Sequence, residues 1–172
     1  MKKTLTLFLL MLVSLVAFFQ KKISAIVKQE TRLTARGNSN ELILKAMAQY
    51  KGSEDSVKIN SVKINLEGTS EIADVKKIKV FTTGLTDCQN NKFFDEAVLI
   101  GSCNPQEGDF TCELNGSLLK GINYLWLTLD LADDAVEGNF VDMSLLSIDT
   151  ETEVCELKSP SPIGNREIIL AR

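Results

Sequence analysis

The sequence predicts an all-β chain: a two-layer antiparallel β-sandwich, Ig-like or jelly-roll-like in outline, with about eight strands. Three observations carry this. After the leader of the first 25 residues apolar residues recur with a period of two rather than 3.6. Clusters of Gly, Asn, Asp, Ser or Pro separate the apolar runs. The chain has 172 residues, 44% of them hydrophobic, and a net charge of -4, which suits one domain with its own core.

The first nineteen residues, MKKTLTLFLLMLVSLVAFF, place two lysines before an apolar run that ends at Phe19, the layout of a secretory signal. The run is short for a membrane span. Ala25, in Ile23-Ser24-Ala25, is a partial fit to a peptidase site and divides the chain into a signal (1–25), an N-terminal extension (26–40) and a sandwich domain (41–172). An uncleaved anchor is the alternative. No cysteine near the run offers a lipid attachment point. The expected location is therefore secreted, periplasmic or cell-surface. Without residues 1–25 the chain holds 15 basic and 23 acidic residues, a balance of -8. That acidity argues against nucleic acid and anionic membrane as partners, beyond the signal itself.

In chain order, Leu42, Leu44 and Ala46 alternate with Ile43, Lys45 and Met47, and Ser53 to Ser56 is a polar turn. In SVKINSVKINLEG the apolar set Val57 and Ile59 changes phase to Val62, Ile64 and Leu66. A one-residue slip would turn the strand inside out, so a β-bulge at Asn60-Ser61 or a crossing between sheets is required. Ser70 to Asp74 reads as a turn, and Ile78, Val80 and Thr82 alternate on the next strand. Phe93, Phe94, Val98, Leu99 and Ile100 supply further apolar runs, with Phe81, Phe93, Phe94 and Phe110 expected in the core. Asn115-Gly116 is a turn signal and, with Ser117, a formal glycosylation acceptor. A strand ends near Ile148, Pro160 and Pro162 mark a loop, and Glu167 to Leu170 is the last strand.

All four cysteines lie past the leader, where disulfides are their expected state. Three pairings exist. Cys103 and Cys112 bracket a turn-rich segment and are the easiest pair to close; Cys88 with Cys155 then follows by elimination. No Cys-x-x-Cys pair and no histidine offer a zinc site.

GINYLWLTLDLADDAVEGN (121–139) holds the candidate chemistry. Leu125, Leu127, Leu129 and Leu131 point one way and Tyr124, Trp126, Thr128 and Asp130 the other. The leucines belong to the core. Tyr124 and Trp126 form a glycan-stacking platform if their face meets water; the plainer reading is that they pack beneath a loop. Asp130, Asp133 and Asp134 are candidate oxygen ligands for calcium without EF-hand spacing, but Asp, Gly and Asn are also ordinary turn chemistry.

Those nineteen residues, with NLEGTSEIADVKKIKVFTTG (65–84) and Gly164-Asn165-Arg166, resemble the N-terminal domain of bacterial BNR-repeat neuraminidases, or sialidases. The shared pattern is Gly-Thr, Ala-Asp-Val, a Lys-Val-aromatic strand ending in Thr-Gly, Gly-x-Asn-Tyr-aromatic-Trp-Leu-Thr, Asp-Asp-Ala-x-x-Gly-Asn and Gly-x-Arg. The resemblance runs from near Leu42 to the end of the chain and implies a β-sandwich that precedes a catalytic propeller. Asp87 to Phe94 and the cysteine-bearing loops depart from the pattern.

The chemistry of a sialidase needs an arginine cluster and an activated tyrosine. Past the leader the chain has Arg32, Arg36, Arg166 and Arg172, two tyrosines, and no Asp-box string, so the catalytic propeller is not in this chain. Without histidine no ordinary triad can form, and no phosphate loop occurs. The expected function is an exported, non-catalytic glycan-binding or surface-attachment module, with partners a glycan or a sialidase catalytic domain. The alternatives are a spacer or docking domain for a sialidase propeller, or a fragment of a sialidase.

Overall fold

The computed structural model describes residues 22–88 and 96–170. Among these, twelve strands follow in order: β1 (Ile23–Gln29), β2 (Thr34–Ala35), β3 (Glu41–Tyr50), β4 (Ser56–Asn65), β5 (Val75–Thr82), β6 (Val98–Cys103), β7 (Phe110–Leu119), β8 (Gly121–Leu131), β9 (Phe140–Val141), β10 (Ser144–Thr150), β11 (Val154–Glu156) and β12 (Arg166–Ile169). A single 3-10 turn, Ile72–Asp74, leads into β5. The class expectation holds: one layer is a five-stranded sheet, β1-β3-β8-β5-β6, the other a four-stranded sheet, β11-β10-β4-β7. A small third sheet, β2-β12-β9, joins distant parts of the chain at one end. The only parallel pairing among the described strands is β2 with β12.

The inward faces seal one core. Leu125, Leu127, Leu129 and Leu131 of β8 are 0–1% exposed, as the alternation predicts. Each contributes about 2 kcal/mol by burial before the cost of ordering the chain. On β4 the phase change is met by a register shift between Ile59 and Ser61, so Val57, Ile59, Val62 and Ile64 all reach the core. On β3 a shift between Leu42 and Leu44 turns Ile43 and Leu44 both inward and sends Leu42 to the outer face. That differs from the expected Leu42, Leu44, Ala46 face, because alternation cannot locate a bulge in a run of three large apolar residues.

Cys103 and Cys112 form the expected disulfide, with Cα atoms 5.4 Å apart. The strands they join are not a hairpin but neighbours at a corner between the two layers. Two glycines let this corner close. A Cβ on Gly101 would lie 2.4 Å from the Glu113 carbonyl oxygen, and one on Gly116 would lie 3.1 Å from Ile100. Asn115-Gly116 is therefore strand interior, not the predicted turn; β7 runs on to Leu119, and the reversal comes at Lys120-Gly121, where Gly121 has φ +123°.

The Cys88–Cys155 pairing does not form. Cys155 lies on β11 in the main core, whereas Cys88 packs against Trp126 on the outer face of the five-stranded sheet. Pairing by elimination assumed that every cysteine bridges. Phe110 is core and Phe81 belongs to the Trp126 cluster; Phe93 and Phe94 lie outside the described residues.

The segment 26–40, expected as an extension, is built into the fold. β1 pairs along its whole length with β3, from Ile23 opposite Tyr50 to Gln29 opposite Leu44. Ile23 is 1% exposed, and Lys51 donates its backbone N–H to the Lys22 carbonyl at 2.8 Å. A cut after Ala25 would remove a core side chain and the start of the edge strand. A chain beginning at Ile26 should lose about 2–4 kcal/mol relative to one beginning at Gln20, by urea denaturation. Equal midpoints would show that Ile23 is dispensable.

Candidate functional site

The outer face of β8, which bears Tyr124 and Trp126, is closed by the chain itself. Trp126 is 3% exposed and its indole N–H donates to the Thr83 hydroxyl at 3.0 Å. Phe81, Leu42, Ala97, Cys88 and the half-buried Tyr124 pack around it. The Lys45 ammonium lies 4.9 Å from the centroids of both the Tyr124 and Trp126 rings and is paired with Asp87. The cation occupies the π-faces that a sugar would need. Trp126 thus offers no exposed stacking platform: the stretch after β5 continues the ladder beside β8, with the Thr83 N–H on the Tyr124 carbonyl and the Tyr124 N–H on the Gly84 carbonyl, and brings Cys88 against the indole. Burial and the neighbouring Glu96, whose carboxylate accepts from the Cys88 thiol at 3.4 Å, push the Cys88 pKa up and favour the neutral thiol.

The candidate calcium ligands are not brought together. Asp130 points at Lys79, 2.7 Å away, and accepts the Asn40 backbone N–H at 2.8 Å. Asp133 and Asp134 are exposed in the following turn, Asp133 lying 3.7 Å from Lys76. Among the described residues no three acidic, Cys or His side chains form a metal-sized cluster.

What holds that turn is a carboxylate the sequence did not single out. Asp74, 4% exposed, accepts the Val136 backbone N–H at 2.9 Å on one oxygen and the Asn139 side-chain amide at 2.7 Å on the other. Its own carbonyl accepts from Ala132 N–H at 2.8 Å. Ala-Asp-Val and Asp-Asp-Ala-x-x-Gly-Asn, sixty residues apart, are two halves of one hydrogen-bonded unit.

The other motifs are spent in the same way. The Thr69 hydroxyl donates to the Asp142 carbonyl and accepts the Asp142 N–H, both at 2.9 Å, while a Cβ on Gly68 (φ +97°) would lie 2.7 Å from the Asp142 carboxylate. Asn123, 0% exposed, accepts the Leu119 N–H at 2.8 Å and donates to the Leu119 carbonyl at 2.7 Å, closing the β7–β8 turn. Arg166 is buried; its guanidinium donates to the carbonyls of Arg32 (2.6 Å), Leu42 (2.7 Å) and Leu33 (3.1 Å) and pairs with Glu41 at 2.6 Å. It is an internal cross-link, not a substrate arginine.

An open groove of about 680 Å³ lies between the 65–73 and 106–109 loops. Glu67, Glu71, Glu107 and Asp109 are its charged lining, with no lysine or arginine. Asn65 and then Lys63 hold the Asp109 carboxyl below its usual value. Lys63, 3.0 Å from Asp109, is a cation beside this groove.

Residues 24–153 match the family described as the N-terminal domain of BNR-repeat neuraminidase. Among solved structures, a Hadza microbial sialidase, Hz136, aligns with a TM-score of 0.61 at 11% identity, covering 83% of this chain and 30% of that one. The likeness shows a common fold, and this chain spans under a third of the sialidase. A family 123 glycoside hydrolase from Clostridium perfringens aligns at a TM-score of 0.37 and 9% identity, over 88% of this chain and 28% of that one, too loosely to carry an argument. No curated protein matches.

Asp142 gives a pH test. Burial raises its pKa, partly offset by the Gln29 amide (2.5 Å) and the Met143 N–H (2.7 Å). With the folded pKa above the unfolded one, the ionised form costs stability at neutral pH, and the cost fades as pH falls through the raised pKa. Asp142→Asn keeps an oxygen for both donors, so it should be more stable than the parent at pH 7 and level with it once the pH is below the ordinary carboxylate range. Urea midpoints at the two pH values check this; a less stable variant at pH 7 would contradict it.

Proposed function

The chain belongs to the family of N-terminal domains of BNR-repeat neuraminidases, accessory parts of sialidases, and from that premise we propose that it is a non-catalytic spacer that carries a sialidase catalytic part. The observation that carries the reading is where the chain enters and leaves the sandwich. β1 starts beside Tyr50 and Gly121 at one end. β12 finishes at the other, where the Ile169 carbonyl accepts from Arg36 N–H and the neighbouring Gly37 N–H donates to Ala132. Ten-residue strands such as β3 span roughly 30 Å between those ends. A rigid body with entry and exit at opposite ends separates whatever is attached to each.

The spending of the shared motif side chains on internal hydrogen bonds supports the same reading, as does the covered Tyr124/Trp126 face. A glycan-binding role through that pair would require the covering stretch to peel away. The reading is tested by titrating the chain with sialyllactose and watching the Tyr124 and Trp126 amides, together with a fluorogenic sialoside assay. No sugar-dependent shift and no hydrolysis are expected, and joining the domain ahead of a sialidase catalytic domain should leave turnover of the soluble substrate unchanged. A saturable shift at Trp126, or hydrolysis by the chain alone, would overturn it.

A further inference from the structure

The two ends of the sandwich differ in chemistry. The end where β12 finishes is acidic on balance: Glu67, Glu71, Glu107, Asp133, Asp134 and Glu137 are exposed there, against Arg36 and Lys76. The end where β1 begins presents large apolar side chains instead, Leu85 (51% exposed), Leu119 (43%) and Ile122 (47%). Leu85 and Leu119 flank the Gly84 and Gly121 turns, and Ile122 follows Gly121 in the chain. A Cβ on Gly84 would lie 3.9 Å from Leu119 Cδ1, and one on Gly121 would lie 3.4 Å from Leu85 Cδ2.

Exposed Lys22, Lys51 and Lys120 surround this tip. Backbone hydrogen bonds of 2.8 Å, from Lys51 to Lys22 and from Lys120 to Asp55, tie the segments that bear them together. Glu54 and Asp55 share the end, and Glu151 is bonded to Lys58 just inside it, so its charges are close to balanced, against a far end on which acids outnumber the exposed Arg36 and Lys76. The apolar run at the start of the sequence stops at Phe19, leaving Gln20 and Lys21 before Lys22. Three residues reach at most about 10 Å.

We propose that this tip rests on a lipid bilayer. Leu85, Leu119 and Ile122 enter the headgroup region, the lysines meet anionic headgroups, and the acidic end is directed away from the surface. Apolar side chains ringed by lysine ammonium groups suit the interface, where the stems of the lysines lie along the apolar layer and their charges stay in water. The acidic balance of the whole chain argues against anionic lipid as a partner in general, but here the charge is divided between ends, and the division orients the molecule. The proposal goes beyond the spacer role: the tip can fail to touch lipid and the domain still separate its two neighbours.

The test uses the full chain with an environment-sensitive fluorophore on a single added cysteine, Leu119→Cys at the tip or Val136→Cys on the acidic end. Cys88 and Cys155 are buried and the other two cysteines are bridged, so labelling is selective. On vesicles of phosphatidylcholine and phosphatidylglycerol, the Leu119→Cys probe should shift to the blue and be quenched by headgroup nitroxide, and the Val136→Cys probe should do neither. Adding Leu85→Ser and Ile122→Ser should abolish the shift, and salt should weaken it. Vesicle-bound protein whose two probes behave alike would mean that the leader alone holds it and would overturn the proposal. A blue shift without lipid, from self-association at the tip, would also overturn it.

Discussion

Strand β8 is covered on both faces, by the leucine core on one side and by the Trp126 cluster on the other. A strand so placed has no water at its middle, and at its two ends the chain must turn without stranding backbone groups. Asn123 solves the problem where β8 begins and Asp74 where it ends. Asp130, on the outer face near the second end, is answered by Lys79 and Asn40. The acidic, amide-rich tail that follows the leucines is thus the consequence of burying a strand twice over.

Which parts of this were legible in the sequence follows from how far each signal reaches. The leucine face of β8, the slip at Asn60 and the Cys103–Cys112 bridge come from alternation and spacing within a few residues, and local rules are strong there. The Gly116 turn fails for the converse reason: Asn-Gly is a turn pair in isolation, yet here the glycine is needed because another strand passes close by. Cys88 and Cys155 are separated by the sheet itself, which elimination could not see. Most instructive are Asp74 and Arg166. Their motifs were visible, but their partners are about sixty residues away or more, and only the folded chain shows an aspartate that holds a turn and an arginine that bonds three carbonyls.

Function follows from the same economy. Carboxylates and guanidinium groups with their hydrogen-bonding capacity met inside the protein are not available to polarise a substrate, and the groove between the 65–73 and 106–109 loops is lined by four carboxylates without a lysine or arginine among its lining residues. What the surface offers instead is polarity along the long axis: entry beside an apolar, lysine-flanked tip and exit beside an acidic end. The proposed spacer role rests on that polarity: an accessory domain built in this way would contribute distance and orientation rather than chemistry.

The central claim, that motif side chains hold the fold rather than await a ligand, is tested most directly by native-state amide hydrogen exchange at Leu119 and Val136. Both amides lie at turns and are bonded to side chains, Asn123 and Asp74. The account predicts exchange only on global unfolding, with protection equal to that of the β8 leucine amides and unaltered by sugar. Exchange at the rate of an open loop, or protection that appears only when a glycan is added, would contradict it.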